Sequence, residues 1–278
     1  MKNNYFNYHI PSLKQSWGLV LVFIAASVLA SPIQVVTNGL SIPYAVSFLL
    51  IFGWVLLQGK ICFNAGGLPL RINMPDFGKM NPVSFFVILA LVVLSIGVLV
   101  EPIASLIPMP DAIKELFEKV FDSEKPMDLV VSTTLLAPIC EELFCRGLIL
   151  RGLLARISPT KAILWSAFIF AFIHMNPWQA IPAFALGCFF GWIYYRTHSI
   201  WACIFMHFVN NGMSSLMMLI LPDMETDATF AEVLSAGNYA ALLAVSAAVL
   251  VGGIILLNKK LKSNEEIISF KVQANTQE

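Results

Sequence analysis

Apolar runs long enough to cross a membrane recur along this chain and dominate what it can fold into. A helix needs about 20 residues to cross a hydrocarbon core of about 30 Å, and eight segments come near that length. They span approximately residues 17–36, 40–57, 82–107, 129–150, 160–175, 179–195, 200–221 and 239–257. Because a bilayer offers no partner to exposed backbone polar groups, continuous apolar segments of this length predict membrane-spanning helices, which pair their backbone groups internally.

The composition agrees with a membrane protein. Hydrophobic residues make up 58% of the 278 residues and charged residues 12%, whereas about a quarter of the residues of a soluble domain are charged. We therefore predict an all-α polytopic membrane helical bundle of about eight transmembrane helices, forming a single membrane-embedded domain over residues 1–278. The formal net charge is zero, so no basic surface indicates nucleic acid as a partner.

Lysine and arginine residues predict the orientation of the bundle. With the N-terminus in the cytoplasm, 13 of the 17 Lys and Arg residues fall in cytoplasmic segments, where positive charge is normally enriched. Lys114, Lys119 and Lys125 fall on the outer side, and Arg146 lies within the membrane. We predict an integral multi-pass protein with both termini cytoplasmic, located in the plasma or inner membrane if the source is bacterial.

Several local patterns refine this outline. The stretch Val28-Leu29-Ala30-Ser31 resembles a signal-peptidase site, but the apolar run continues past it, which favours its retention in the first helix. Residues 111–125 have the periodicity of an amphipathic helix at the outer interface. Residues 176–178 separate two short spans and predict a tight helical hairpin. Gly187 and Gly191 form a GxxxG pattern that predicts close helix packing.

Three charged residues lie inside the fourth apolar segment. A charge at the centre of a bilayer costs at least about 2.5 kcal/mol, so Glu141, Glu142 and Arg146 require an explanation. Glu142 and Arg146 are four residues apart and share a helix face, so they can pair. Glu141 is rotated by about 100° and has no such local partner, which leaves it available as a base or a metal ligand.

Three further polar side chains interrupt other spans. His207 and Asn211 are four residues apart and point into the same space, with Asn210 as an alternative to Asn211. At about 1.5 Å of rise per residue, Glu141, His207 and His174 lie roughly 15, 12 and 21 Å from the inner boundary. All three could meet in one cavity, although a membrane histidine also serves as a hydrogen-bond donor between helices and a Glu–Arg pair as a structural clamp.

A proline stands just before the acidic pair. Pro138 lacks a backbone N–H, so in an α-helix it leaves the carbonyl of Thr134 without a donor and predicts a kink beside Glu141. Such a kink suits either a wet cavity or the packing of helices.

Taken in order, these polar residues resemble the motifs of a known family. The motifs are EExxxR at Glu141–Arg146, FxxxH at Phe170–His174 and HxxxN at His207–Asn211. This set resembles the CPBP intramembrane proteases, which include the type II CaaX prenyl proteases and the bacterial Abi proteins. The resemblance covers a core over residues 128–221, about a third of the chain.

The resemblance implies an all-helical membrane fold with a cavity open to the cytoplasm. It implies hydrolysis of a peptide bond in a membrane-associated peptide or protein, which can be prenylated or lipid-anchored. Glu141, with His174, would activate the attacking water as a general base or through a metal. His207 and Asn211 would stabilise the oxyanion. Glu142 and Arg146 would hold this constellation or contact the substrate.

Two questions stay open at this stage. Glu141, His174 and His207 would also make an open three-ligand site for a divalent metal, with Zn²⁺ as the best candidate, although the HExxH spacing of zincins is not present. Alternative functions are a proton- or ion-coupled transporter, in which buried charges form a relay, and a non-catalytic membrane scaffold or immunity protein. Against transport, the sequence shows no matched pair of interrupted helices in two halves.

Overall fold

The computed structural model describes residues 11–37, 39–57, 75–115, 126–221 and 228–261. Every regular element in these ranges is a helix, and none of the described residues forms a strand. All eight predicted apolar segments are helical, which confirms the all-α prediction. Of the amphipathic helix predicted over residues 111–125, residues 111–115 are helical and the rest lies outside the described residues.

The main helices are numbered along the chain. In chain order they are α1 Leu13–Thr37, α2 Ser41–Leu57, α3 Pro82–Ala104, α4 over residues 126–156, α5 Pro159–Phe172, α6 Pro177–Thr197, α7 Ile200–Ile220, α8 Phe230–Val233 and α9 Ala236–Lys260.

Four of the described helices, α1, α3, α7 and α9, are long and apolar enough to cross a membrane. Helices α2 and α5 are apolar but shorter. The helix α5, for example, rises only about 21 Å over its length. The chain therefore has the helices of an integral membrane protein, while the count of eight spans and the cytoplasmic position of both termini stay predictions.

Helix α4 carries the acidic pair and changes its winding along its length. π-helical turns over Val131–Leu136 and Leu143–Leu150 flank an α-helical stretch, Ala137–Glu142. Such π turns are rare and occur frequently at functional sites. The disruption predicted at Pro138 thus takes the form of a π-helical segment before the proline, in a helix that continues to residue 156.

Helices α5 and α6 form the tight hairpin expected from the sequence. The Asn176 side chain caps α6 by accepting a hydrogen bond from the Gln179 N–H, and Pro177 occupies the first turn, where no N–H is needed. A Cβ atom at Gly187 would lie 3.1 Å from the Cα atom of Ala167. Glycine therefore permits the close packing of the two helices, as predicted.

Helices α1 and α2 pack together and lie against α4. The ring of Phe23 on α1 lies 5.6 Å from that of Phe48 on α2 and 5.8 Å from that of Phe144 on α4, between centroids. At the start of α2, the Asp128 carboxylate of α4 accepts hydrogen bonds from the N–H groups of Leu40 and Ser41. This carboxylate satisfies donors of the first turn and stabilises the positive end of the helix dipole, so it anchors α2 on α4.

Helix α3 packs along α9, and a carboxylate joins their ends. Glu101 of α3 accepts hydrogen bonds from the Phe230 N–H at 3.2 Å and from the Tyr239 hydroxyl at 3.4 Å. The contact ties the short helix α8 and the first turn of α9 to α3.

The anchor at Asp128 can be tested by substitution. We expect Asp128→Ala to lower the free energy of unfolding by about 1–2 kcal/mol, because it removes an acceptor equivalent to a helix N-cap. Thermal unfolding of the purified protein in detergent measures the change. Asp111→Ala serves as the control, since Asp111 is exposed. A melting temperature of Asp128→Ala equal to that of the control would contradict the anchoring role.

Candidate active site

The Glu142 carboxylate joins two basic side chains in the interior of the bundle. Its Oε1 atom lies 2.8 Å from Nη1 of Arg146 and 3.0 Å from Nδ1 of His207. All three side chains are buried, and the predicted pairing of Glu142 with Arg146 is confirmed. Since an ionised carboxylate only accepts, we assign the His207 Nδ1 atom as the donor, which leaves Nε2 as the acceptor of a neutral ring.

Arg146 has further partners on the α5–α6 hairpin. Its Nη2 atom donates to the Gly187 carbonyl at 3.1 Å. The guanidinium carbon lies 4.5 Å from the centroid of the Phe170 ring and 5.3 Å from that of Phe190. A desolvated guanidinium over an aromatic face gains about 2 kcal/mol. The close packing of α5 and α6 at Gly187 thus supplies part of the environment of Arg146, which belongs to α4.

Glu141 has a different set of neighbours from Glu142. Its Oε1 atom accepts a hydrogen bond of 2.6 Å from the Tyr44 hydroxyl of α2. Its Oε2 atom is buried without a hydrogen-bond partner in the described part of the chain, and it lies 4.0 Å from Nε2 of His207. One oxygen of Glu141 therefore stays available for chemistry, beside an imidazole nitrogen that is also available.

His174 lies just after the end of α5, at the edge of this cluster. Its Nδ1 atom donates to the Phe170 carbonyl at 2.7 Å, which leaves Nε2 as the acceptor. The Phe170 ring contacts both His174 and His207, at centroid distances of 5.1 and 5.5 Å. Among the described residues, no hydrogen bond or ion pair joins His174 to Glu141. The pairing of those two side chains in water activation stays a prediction.

Asn211 of α7 meets α4 at the proline. In the π-helical turn, the Ala137 N–H donates to the Ser132 carbonyl, five residues earlier. The next donor in this pattern is missing because Pro138 has no N–H, and the carbonyl that loses its donor is that of Thr133. The Asn211 side-chain amide donates to this carbonyl at 2.8 Å. It therefore replaces the hydrogen bond that the proline removes.

This contact changes two expectations. The prediction that Pro138 frees the Thr134 carbonyl was wrong by one residue, because it assumed α-helical winding where α4 is π-helical. One of the two amide N–H groups of Asn211 is used by the Thr133 carbonyl, which leaves one for an oxyanion. The alternative residue, Asn210, instead donates to Oδ1 of Asn211 at 3.0 Å, so Asn210 supports the predicted residue.

The predicted metal ligands are not gathered around one point. Among the described residues, which include Glu141, His174 and His207, no three His, Cys, Asp or Glu side chains form a group that could hold a metal ion. Oε1 of Glu141 is hydrogen-bonded to Tyr44. The arrangement does not fit a three-ligand zinc site. Zinc stays a prediction of the sequence pattern.

Sequence reasoning missed Tyr44. Its partner Glu141 is 97 residues away in the chain, and the residues beside Tyr44 form no motif that would indicate a functional role. The only signal in the sequence was Glu141 itself, which has no partner within its own helix. A buried carboxylate requires a hydrogen-bond donor, and that donor must then come from another helix.

Comparison with known proteins points to the same part of the chain. Residues 124–213 match a family model described as "Type II CAAX prenyl endopeptidase Rce1-like". Over 94 residues the chain is 32% identical to a protein of Bacillus subtilis (strain 168) named "Putative membrane peptidase YdiL", which covers 34% of this chain and 38% of that relative. No solved structure matches the chain significantly.

The two matches confirm the resemblance to the CPBP family, and the family model covers the segment that holds all three motifs. The alignment spans less than half the length of the relative. Helices α1, α2, α3, α8 and α9 lie outside the segment matched by the family model.

The replacement of the Pro138 hydrogen bond by Asn211 can be tested with a double-mutant cycle. We expect Asn211→Ala to cost about 1–3 kcal/mol in the wild-type background, because it leaves a carbonyl of α4 unpaired. In the Pro138→Ala background the cost is expected to be smaller, since the restored backbone N–H supplies a donor. Thermal unfolding of the four proteins gives the coupling energy. Equal costs in both backgrounds would show that the two residues act independently.

Proposed function

We propose that this chain is an intramembrane endopeptidase of the CPBP type, which hydrolyses a peptide bond of a membrane-associated peptide or protein. The observation that carries the proposal is the buried Oε2 atom of Glu141, which has no hydrogen-bond partner among the described residues and lies 4.0 Å from Nε2 of His207. Ionisable groups inside a membrane protein are costly and normally serve function. The match of residues 124–213 to an endopeptidase family favours proteolysis over ion transport.

Glu141 acts as the general base in this proposal. Its Oε2 atom takes a proton from a water molecule while the water oxygen attacks the carbonyl carbon of the scissile peptide bond. The carboxylic acid then protonates the leaving nitrogen as the C–N bond breaks, which returns Glu141 to the carboxylate. His174 assists from the edge of the cluster, where its Nε2 atom can orient the water.

His207 and Asn211 stabilise the oxyanion of the tetrahedral intermediate. His207 donates from Nε2 in the form whose ring carries both protons, while its Nδ1 atom stays hydrogen-bonded to Glu142. Asn211 donates the amide N–H that the Thr133 carbonyl does not use. Glu142 and Arg146 hold His207 in this orientation through their buried ion pair.

A lipid-modified peptide is the substrate class that best suits this site. The family description names prenylated CaaX substrates, and a prenyl or acyl chain gains about 0.8 kcal/mol per buried CH₂ group on entering a membrane. Such an anchor would keep the scissile bond within reach of a carboxylate buried in a helical bundle.

The proposed roles predict loss of cleavage on substitution. Glu141→Ala, His174→Ala and His207→Ala are each expected to lower the cleavage rate by about 10²- to 10⁴-fold, the usual contribution of a general base or a positioned donor. The measurement is a comparison of peptide N-termini in membranes from cells with wild-type or variant protein. An internally quenched peptide that contains the bond left uncut in the variants is then tested as a substrate of the purified protein.

Glu101→Gln is the matched control, because this variant changes a half-buried carboxylate that contacts Phe230 and Tyr239 outside the site. Its cleavage is expected to equal that of wild type. Normal cleavage by all three alanine variants, with each protein inserted and folded, would refute the proposed function. It would instead favour a scaffold or transport role.

The metal content of the protein distinguishes a metal-free mechanism from a zinc-dependent one. Because Glu141, His174 and His207 are not gathered around one point, we expect the purified protein to hold far less than equimolar zinc and to stay active after treatment with 1,10-phenanthroline. Elemental analysis and the cleavage assay measure both properties. Equimolar zinc, with activity lost on chelation and restored by Zn²⁺, would show that these side chains regroup around a metal.

A further inference from the structure

Helix α2 brings one side chain to the site from outside the segment that matches the family model. The Tyr44 hydroxyl donates a hydrogen bond of 2.6 Å to Oε1 of Glu141. Hydrogen bonds to an ionised carboxylate are shorter and about twice as strong as those between neutral groups. The contact therefore joins α2 directly to the proposed general base.

This hydrogen bond makes the two oxygen atoms of Glu141 unequal. Oε1 is occupied by Tyr44, whereas Oε2 has no hydrogen-bond partner among the described residues and lies on the side of His207. The terminal torsion of a glutamate is otherwise broad and nearly two-fold, so the carboxylate plane turns easily. Tyr44 thus fixes the plane of the carboxylate and presents Oε2 to the space that it shares with His207.

Tyr44 is held by a contact of its ring and by the anchored start of its helix. Its ring lies 5.1 Å from the ring of Phe48, between centroids, and Phe48 is fully buried. One turn earlier, the start of α2 is bound by the Asp128 carboxylate through the Ser41 N–H. Because Asp128 and Glu141 both belong to α4, the position of the hydroxyl relative to the carboxylate is fixed by α4 itself.

We infer that Tyr44 is a positioning residue for the Glu141 carboxylate, an inference that rests on the proposed function. Tyr44 acts through Glu141 and has no contact with the reacting atoms. Its loss therefore slows the chemical step and leaves substrate binding unchanged. A base that is free to turn away from its water is expected to lose roughly 10- to 100-fold in kcat.

The test compares two tyrosines that each donate to a glutamate. Tyr44→Phe removes the hydroxyl from Glu141 and keeps the ring. Tyr239→Phe removes a hydroxyl that donates to Glu101 at 3.4 Å, outside the site. Both variants and Glu141→Ala are reconstituted in proteoliposomes. The substrate is an internally quenched peptide that carries a bond cut in membranes with the wild-type protein and left uncut in membranes of cells that lack it, and kcat and KM are measured with this peptide.

We expect Tyr44→Phe to lose roughly 10- to 100-fold in kcat with unchanged KM, while Tyr239→Phe keeps both constants of the wild type. Melting temperatures of the two variants are measured in parallel, because a loss caused by unfolding would lower the amount of active protein instead of kcat per folded molecule.

Two results would overturn the inference, and they are distinguishable. If Glu141→Ala is inactive but Tyr44→Phe has the kcat of the wild type, or loses activity only through KM or folding, Tyr44 does not position the base and the proposed function stands. If Glu141→Ala cleaves like the wild type, the proposed function fails and the role of Tyr44 fails with it.

Discussion

A buried ion pair is the interaction on which the rest of this structure depends. Glu142 and Arg146 have no exposed side-chain surface, and an unpaired charge in such an interior would cost several kcal/mol. Arg146 is stabilised further by the Gly187 carbonyl and two aromatic rings, and Glu142 by His207. These partners come from α5, α6 and α7. The demand for compensating contacts thus determines which helices surround α4 and at which level they meet it.

The winding of α4 decides what each of its polar groups faces. Adjacent residues of a helix point about 100° apart, so Glu141 faces Tyr44 of α2 while Glu142 faces His207 of α7. Pro138 interrupts the backbone hydrogen bonds just before them, and the Asn211 amide supplies the missing donor. The defect in α4 therefore serves as a docking point for α7. The same docking places His207, one turn before Asn211, next to both carboxylates.

Short-range patterns carried most of what the sequence could predict. The helices and the Glu142–Arg146 pair depend on periodicity within one segment, and both are present. The sequence predicted that the proline frees the carbonyl of Thr134, whereas it frees that of Thr133. The rule used for the prediction assumes α-helical geometry and does not apply to π-helical winding. Tyr44 was missed because its contact links α2 to α4 across 97 residues. The pairing of helices that are distant in sequence is the part that local patterns do not contain.

The helix pair α1–α2 completes a site that the motif-bearing segment leaves unfinished. Residues 124–213 contain the proposed base, both histidines and the asparagine, yet the hydrogen-bond donor to Glu141 among the described residues is Tyr44, outside that segment. Asp128, inside the segment, in turn holds the start of α2. The dependence is thus mutual. A chain with the same three motifs and no hydroxyl at this place would keep its buried ion pair but would lack the hydrogen bond that orients the Glu141 carboxylate. Possession of the motifs and the orientation of the Glu141 carboxylate are therefore separate properties, and the second depends on a residue outside the motifs.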